Sequence, residues 1–303
     1  MIPRLLRQSD KAEFSQHIDM LICGCGYETR SVLVAQKFET KDVGLKLAYC
    51  FVDPENDERI LQHRKYFTEN GFKVINMKGD DADGFRNSFL GYFNPFIRGH
   101  EVITIAIDIS SMTRIWYATF MSVFSSYDIP LTHLTCVYYY SQREQVVDRD
   151  IVGMKLTPMQ EYSNISVPDK PTALVVGVGE YSDVANYLTE YFNAEHVYCF
   201  YPGESLNPAI RQSGPAGIVE WRRYTFHNMI KTFSDLRDIC ASLIHDYRVV
   251  IIPCGPKLFT MIALLLKNIM KEVDIWKAEM SQRCYADVAP NGNIIQVEIE
   301  YDK

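Results

Sequence analysis

Two short polar turns carry the residue types that could do chemistry in this chain of 303 residues. The first, CGCGYETRS, ends an apolar run and places Arg30 and Ser31 shortly after two glycines. The second, DISSMTR, spans residues 108–114 and directly follows the apolar run VITIAI. Hydroxyls and arginines at the start of a helix favour phosphate, because free backbone N–H groups also point outward there. The two turns therefore predict an anion site.

The arginines are the most informative residues of these turns. Arg30 and Arg114 each fall in the first turns of a predicted helix, where the helix dipole disfavours a cation. An anion held between the two guanidinium groups would offset that effect. We expect the arginines to hold phosphate, the hydroxyls to orient it, and Asp53 or Asp108 to read a sugar or a base. The predicted ligand-binding residues are Gly24, Gly26, Tyr27, Arg30, Ser31, Asp53, Ser110, Ser111, Thr113 and Arg114.

Two carboxylates of the same turns could act as acid and base if the protein is an enzyme. They are Glu28 and Asp108, and carboxylates commonly serve in proton transfer. The sequence shows neither a recognisable nucleophile–base pair nor a set of metal ligands. Its seven histidines form no HxH or HExxH pattern and its eight cysteines form no CxxC pair. We therefore expect no cofactor and no protein-bound metal.

Each of these residues also has a structural explanation. Gly24 and Gly26 could simply permit a tight corner, since two glycines without the third of a dinucleotide fingerprint are a weak motif. The serines of DISSMTR could be no more than a helix N-cap. Arg30 could belong to a closed ion-pair network with a nearby carboxylate, namely Glu28, Asp53 or Asp108. Both interpretations remain open at the level of sequence.

Short apolar runs that alternate with helical segments position the two turns. The runs in the first half are residues 19–23, 45–52, 72–77, 102–107 and 134–140, and the helical segments are 28–38, 57–70, 84–93 and 113–126. The second half has helical segments at 181–192, 228–245 and 257–270. This alternation is typical of parallel strands buried on both faces. In open parallel sheets, ligands bind beyond the carboxyl ends of the strands, where strand order reverses.

The two halves of the chain resemble each other. MLICGCGYE aligns with LVVGVGEYS, which places Gly24 on Gly177 and Gly26 on Gly179 at an offset of 153 residues. LAYCFVDPE then aligns with HVYCFYPGE at an offset of 149, and ITIAIDISS with VVIIPCGPK at about 145. Matches in the same order with a shrinking offset indicate an internal duplication whose second copy has lost loop residues.

These patterns predict an α/β protein of two tandem Rossmann-like units with mainly parallel sheets and a C-terminal β-hairpin turning at Asn291-Gly292. We expect the first unit at residues 1–145, a connector at 146–165 that could carry a hairpin, and the second unit at 166–303. The corresponding turns of the second half read GVGEYSD and PCGPKLF, in which Lys257 is the remaining cation. The second unit is therefore interpreted as a degenerate copy, and the ligand site is assigned to the first.

Composition limits the class of protein. Hydrophobic residues make up 47% and charged residues 23% of the chain, as in folded globular proteins. A net charge of −7 argues against an extended nucleic-acid surface. The longest run without Asp, Glu, Lys or Arg, IPLTHLTCVYYYSQ, is 14 residues long and too short to span a bilayer. We expect a soluble, cytoplasmic protein with reduced cysteines and no membrane partner.

The layout of the first half resembles the CARF and SAVED sensor domains of prokaryotic antiviral systems. In those domains two such turns hold cyclic nucleotide second messengers, and in many CARF domains the second turn reads Asp-x-Thr/Ser-Gly-Gly before a basic residue. Asp108, a hydroxyl residue and Arg114 match that turn here, whereas its two glycines are absent. The resemblance implies a nucleotide sensor. Most CARF effectors also have a fused nuclease domain; we expect none in this chain, and therefore expect an output to require a partner.

We therefore predict a nucleotide-binding sensor or regulatory subunit, as in an antiviral defence complex, that binds a nucleotide or another phosphorylated small molecule. A protein partner or a homo-oligomer is expected. Two alternatives remain: a nucleotide-processing enzyme, either a hydrolase or a glycosidase/transferase, and a protein-docking scaffold with vestigial clefts.

Overall fold

The structure, a computed structural model, describes residues 1–9, 11–14, 16–52, 57–143, 153–164, 169–179, 183–203, 218–279 and 289–303. The chain divides into two units. Unit 1 consists of Met1–Glu144 and Tyr285–Lys303, and unit 2 consists of Gln145–Cys284. Both are mixed α/β units with one sheet each, which confirms the predicted fold class at that level.

Unit 1 is built on a sheet of seven strands, numbered here along the whole chain. They are β1 (Ile2–Ser9), β2 (Met20–Cys25), β3 (Leu45–Phe51), β4 (Lys73–Met77), β5 (Val102–Asp108), β6 (His133–Arg143) and β13 (Pro290–Asp302). Their order across the sheet is β1-β13-β6-β5-β2-β3-β4. The five strands from β6 to β4 run parallel, as the apolar runs predicted. β13 is antiparallel to both of its neighbours.

Helices cover both faces of this parallel sheet, which is why its central strands are apolar throughout. The helices are α1 (Leu33–Gln36), α2 (Glu58–Glu69), α3 (Ala82–Phe96) and α4 (Arg114–Ser126). Cys50 of β3 belongs to a buried cluster with Phe67 of α2. The adjacent Tyr49 instead contacts Phe85 of α3 and Trp116 of α4. Successive side chains of a strand point to opposite faces, so α2 covers one face and α3 with α4 covers the other.

Side-chain caps begin the longer helices of unit 1. Asp57, Asp81 and Thr113 each accept a hydrogen bond from a backbone N–H in the first turn of α2, α3 and α4. The segment predicted as one helix at 28–38 differs, because it contains only a 3-10 turn at Thr29–Ser31 and the four-residue α1. Ser31 and its neighbours in the turn are held by tertiary contacts, described below, that a regular α-helix would break.

Unit 2 contains a sheet of six strands and three α-helices within the described residues. The strands are β7 (Lys155–Pro158), β8 (Thr172–Gly177), β9 (His196–Pro202), β10 (Val219–Tyr224), β11 (Arg248–Pro253) and β12 (Asp274–Glu279). The helices are α5 (Val184–Phe192), α6 (Met229–Leu243) and α7 (Lys257–Ile269). The order across the sheet is β10-β9-β8-β11-β12-β7, with five parallel strands and β7 antiparallel to β12.

The two sheets share one strand order. In each, the five parallel strands follow the sequence third, second, first, fourth, fifth, and an antiparallel strand lies beside the fifth. Strand order therefore reverses between β2 and β5 in unit 1 and between β8 and β11 in unit 2. Such reversals are where parallel sheets place ligands.

The ends of the predicted domains differ from these units. Residues 285–303 were assigned to the second unit, whereas β13 lies in the sheet of unit 1 between β1 and β6. β7 lies in the predicted connector and pairs with β12, while residues 144–152 lie outside the described ranges. Gly292 has a φ of 87° where the pairing of β13 with β6 shifts register, and the preceding arm of the predicted hairpin, 280–288, is not among the described residues.

Within the part of the chain described, no helix is both long enough and apolar enough to cross a membrane.

Candidate functional site

The two predicted turns lie side by side at the carboxyl edge of the unit 1 sheet. β2 and β5 are direct neighbours there, and strand order reverses between them. A Cβ added to Gly24 would lie 2.9 Å from the backbone nitrogen of Met112 and 3.0 Å from the carbonyl carbon of Ser111. Glycine is therefore required at this point because the backbone of the second turn occupies the space.

Ser31 closes the first turn. Its Oγ donates a hydrogen bond to the carbonyl oxygen of Gly24 at 2.7 Å and accepts one from the backbone N–H of Gly26 at 3.0 Å. The carbonyl oxygen of Gly26 lies 2.7 Å from Nδ1 of His63, on α2. Ser31 is completely buried, so its hydroxyl holds the corner rather than facing solvent.

Arg30 and Glu28 form a buried ion pair beside this corner. Nε and Nη2 of Arg30 donate to the carboxylate of Glu28 at 3.3 and 3.0 Å, and the Arg30 side chain is 2% exposed. The guanidinium also lies 5.4 Å from the ring centroid of Tyr140. Burial by itself would lower the pKa of Arg30, but Tyr140 and Glu28 together raise that pKa above its usual value, so the arginine stays charged.

The same arginine completes the hydrogen bonding of β6. β5 ends at Asp108, opposite Tyr139, and β6 continues beyond it. Beyond the end of β5, the carbonyl oxygen of Ser141 accepts a hydrogen bond from Nη1 of Arg30 at 2.9 Å. The backbone N–H of Ser141 donates to Oγ of Ser110 at 2.8 Å. Two side chains thus replace the backbone groups that β5 would have supplied, because buried backbone groups require partners.

Asp108 shapes the second turn from inside. Its Oδ1 accepts a hydrogen bond from the backbone N–H of Ser110 at 2.9 Å, and the residue is fully buried. Burial, together with the nearby charge of Asp108, raises the pKa of the Cys23 thiol. Since Asp108 contacts its own turn and Glu28 contacts Arg30, both predicted acid/base residues have roles in holding the corner.

The rest of the second turn runs from the buried Ser111 to the partly exposed Thr113 and Arg114. Ser111 donates a weak hydrogen bond to Oε2 of Glu28 at 3.5 Å, which links the two turns directly. Thr113 caps α4 by accepting from the N–H of Trp116 at 3.3 Å. Arg114 is the first residue of that 13-residue helix, and both Thr113 and Arg114 are partly exposed. This helix start is the outer, positively charged part of the site.

The last two residues of the predicted site are Asp53 and Tyr27. Asp53 lies outside the described residues. Tyr27 is partly exposed, and the guanidinium carbon of Arg59 lies 5.3 Å from its ring centroid.

Residues that sequence reasoning missed include Phe51, His63 and Lys78. Phe51 ends β3 at the same edge of the sheet, and its position at a strand end next to the reversal was the signal available. His63 and Lys78 gave no such signal, because α2 and the turn after β4 bring them here.

The corresponding corner of unit 2 is filled by backbone. A Cβ on Gly179 would lie 2.9 Å from Cα of Gly255, and a Cβ on Gly255 would lie 2.7 Å from the carbonyl oxygen of Val178. α7 begins at Lys257 after Pro256, which provides no side-chain cap. Lys257 therefore occupies the position in unit 2 that Arg114 occupies in unit 1.

One group of described side chains away from the corner could coordinate a cation: His133, Glu300 and Asp302. Strand register creates it, because His133 of β6 pairs with Asp302 of β13. Nδ1 of His133 lies 2.6 Å from Asp302, and Nε2 lies 3.1 Å from the hydroxyl of Thr135. These protein contacts already account for the arrangement of the imidazole.

Comparison with protein-family models gives no match, and comparison with curated proteins gives none either. The chemistry of this site is therefore interpreted from its own residues.

Proposed function

We propose that unit 1 is a sensor or regulatory module that binds a nucleotide or another phosphorylated small molecule at the carboxyl edge of its sheet. The observation that supports this most is the adjacency of the two turns at the β2–β5 reversal, with the start of α4 beside them. A helix start presents N–H groups that attract anions. An antiviral setting rests on the resemblance to CARF and SAVED domains.

In this proposal the two arginines have different roles. Arg30 is engaged by Glu28, Tyr140 and Ser141, so it braces the two turns against each other and does not contact the ligand. Arg114 is partly exposed at the start of α4 and supplies the charge for the anion. A rigid brace behind the contact residue preorganises the site and reduces the entropy lost on binding.

We also propose that the two units arose by duplication and that unit 2 is the degenerate copy. Their common strand order supports this, as do the aligned glycines. Unit 2 then supplies a matched control for unit 1, because Lys257 starts α7 as Arg114 starts α4.

The test is a thermal-shift and calorimetric titration of the full chain with a panel of nucleotides and with inorganic phosphate. We expect binding to raise the melting temperature of the wild type and of Lys257→Ala. Arg114→Ala should weaken binding by about tenfold or more, because a hydrogen bond to a charged group contributes about 1.5–3 kcal/mol. Without ligand, the unfolding curve of Arg114→Ala should match that of Lys257→Ala.

Two results would contradict the proposal. One is the absence of any shift across the panel at millimolar ligand. The other is an equal loss of affinity in Lys257→Ala and Arg114→Ala, which would remove the assignment to unit 1.

A further inference from the structure

Phe51 is the outermost ring of a stacked aromatic column in unit 1. Its centroid lies 4.5 Å from that of Trp116 with an interplanar angle of 21°, and Trp116 stacks on Phe85 at 5.4 Å and 7°. Trp116 and Phe85 are fully buried, whereas Phe51 is partly exposed at the carboxyl end of β3. The column thus runs from the core to the edge where the site lies.

Glycines border both lateral edges of the Phe51 ring. A Cβ on Gly26 would lie 3.4 Å from its Cε2, and a Cβ on Gly79 would lie 3.2 Å from its Cε1. Trp116 covers one face of the ring. Residues of the buried cluster that includes Cys25 and Cys50 also pack against Phe51. A ligand can reach the part of the ring that stays partly exposed at the end of β3, where neither glycine has a side chain to cover it.

The same two glycines contact the turn that starts α4. The Cβ position of Gly26 lies 3.3 Å from Cβ of Ser111, and that of Gly79 lies 3.1 Å from Cγ2 of Thr113. Nε1 of Trp116 donates to the carbonyl oxygen of Lys78 at 3.2 Å, which fixes the turn after β4 against α4. The aromatic ring and the helix start are thus parts of one edge, with the exposed side chain of Lys78 as a further cation.

We propose that Phe51 is a stacking platform for a nucleobase, so that the ligand of unit 1 is a nucleotide rather than a sugar phosphate or phosphate alone. This inference rests on the proposed anion site. A partly exposed aromatic ring near the cationic side chains of Arg114 and Lys78 matches a molecule that has both an aromatic plane and a phosphate. Stacking on an aromatic side chain tolerates different bases, since every base has a π face.

The experiment measures affinities of the full chain for the four nucleoside monophosphates, ribose 5-phosphate and inorganic phosphate by calorimetry. At least one nucleotide should bind the wild type about tenfold or more tightly than ribose 5-phosphate does. Phe51→Leu should remove most of that difference while the affinity for ribose 5-phosphate stays unchanged. Phe51→Tyr, which keeps an aromatic face, should retain the difference in affinity between the nucleotide and ribose 5-phosphate.

Failure of this inference and failure of the proposed function give different results. If nucleotides and ribose 5-phosphate bind equally well, or if Phe51→Leu keeps the full preference for nucleotides, Phe51 is not the platform and the anion site still stands. If none of the phosphorylated compounds binds the wild type, both proposals are overturned. Unfolding curves of Phe51→Leu and Phe51→Tyr show that the variants are folded before affinities are compared.

Discussion

The turns that follow β2 in unit 1 and β8 in unit 2 have glycines at equivalent positions but different residues packed against those glycines. In unit 1, a Cβ added to Gly26 would lie 3.3 Å from the Cβ of Ser111, and the ion pair of Glu28 and Arg30 lies beside this corner. In unit 2, a Cβ added to Gly179 would lie 2.9 Å from Cα of Gly255. The sequence of that turn, GVGEYSD, contains no arginine.

This difference separates the residues that make the corner from the residues that could serve a ligand. Gly24 and Gly177 both occupy positions where a Cβ would collide, the first with the backbone of Met112 and the second with the ring of Phe259 at 2.3 Å. Glycine at these positions is a property of the fold. A function that belongs to one unit must therefore depend on residues found in that unit alone, such as Arg114.

The largest expected effect is on the buried ion pair of unit 1. Glu28→Gln leaves the charge of Arg30 buried without its carboxylate, and we expect the free energy of unfolding to fall by about 3–5 kcal/mol. Urea denaturation measures this. The double variant Glu28→Leu/Arg30→Met removes both charges and should lose less than the single variant. A loss below about 1 kcal/mol for Glu28→Gln would mean that the pair behaves like an exposed one.

A smaller effect compares the second glycines of the two corners. Gly179→Ala places a Cβ 2.9 Å from Cα of Gly255, whereas Gly26→Ala meets Ser111 and Phe51 at 3.3 and 3.4 Å. We expect a loss of about 1–3 kcal/mol for Gly179→Ala, as for other overpacked sites, and a clearly smaller loss for Gly26→Ala. Thermal and urea unfolding of the two variants measure the difference. Equal losses would show that the unit 1 corner is as tightly filled as that of unit 2.

The smallest expected effect concerns the hydroxyl that pairs with β6. Ser110→Ala removes the acceptor for the buried N–H of Ser141, and we expect a loss of about 1 kcal/mol in the free energy of unfolding. Ser242→Ala removes an exposed hydroxyl of α6 and is the matched control with no measurable loss. If Ser110→Ala and Ser242→Ala unfold alike, the hydrogen bond from Ser141 to the hydroxyl of Ser110 contributes no measurable stability.

Sequence patterns predicted the parts of the fold that depend on local residues. The apolar runs gave the positions of the parallel strands, and Asp57 and Thr113 marked the starts of α2 and α4 where the structure has them. Local pattern also placed both turns at the carboxyl ends of neighbouring strands. These features follow from periodicity and capping, which act over a few residues.

What sequence could not predict depends on contacts between distant residues. Arg30 donates to Ser141, which lies 111 positions away, so the choice between an ion pair and a ligand contact stayed open. β13 contains alternating polar and apolar residues that fit several partners, and its insertion between β1 and β6 is decided only by the assembled sheet. The helix predicted at 28–38 was shortened by the same long-range contacts.

The pairing of β1 with β13 has a consequence for how the protein is made. Ile2 lies opposite Asp302 in the register, so the first strand can reach its place only after the ribosome has translated all of unit 2. Closing so long a loop slows the pairing of distant strands. Until then β6 and β1 have open edges, which are sites of aggregation. A circular permutant that links residue 302 to residue 2 would join β13 and β1 as a hairpin and let that pairing form early.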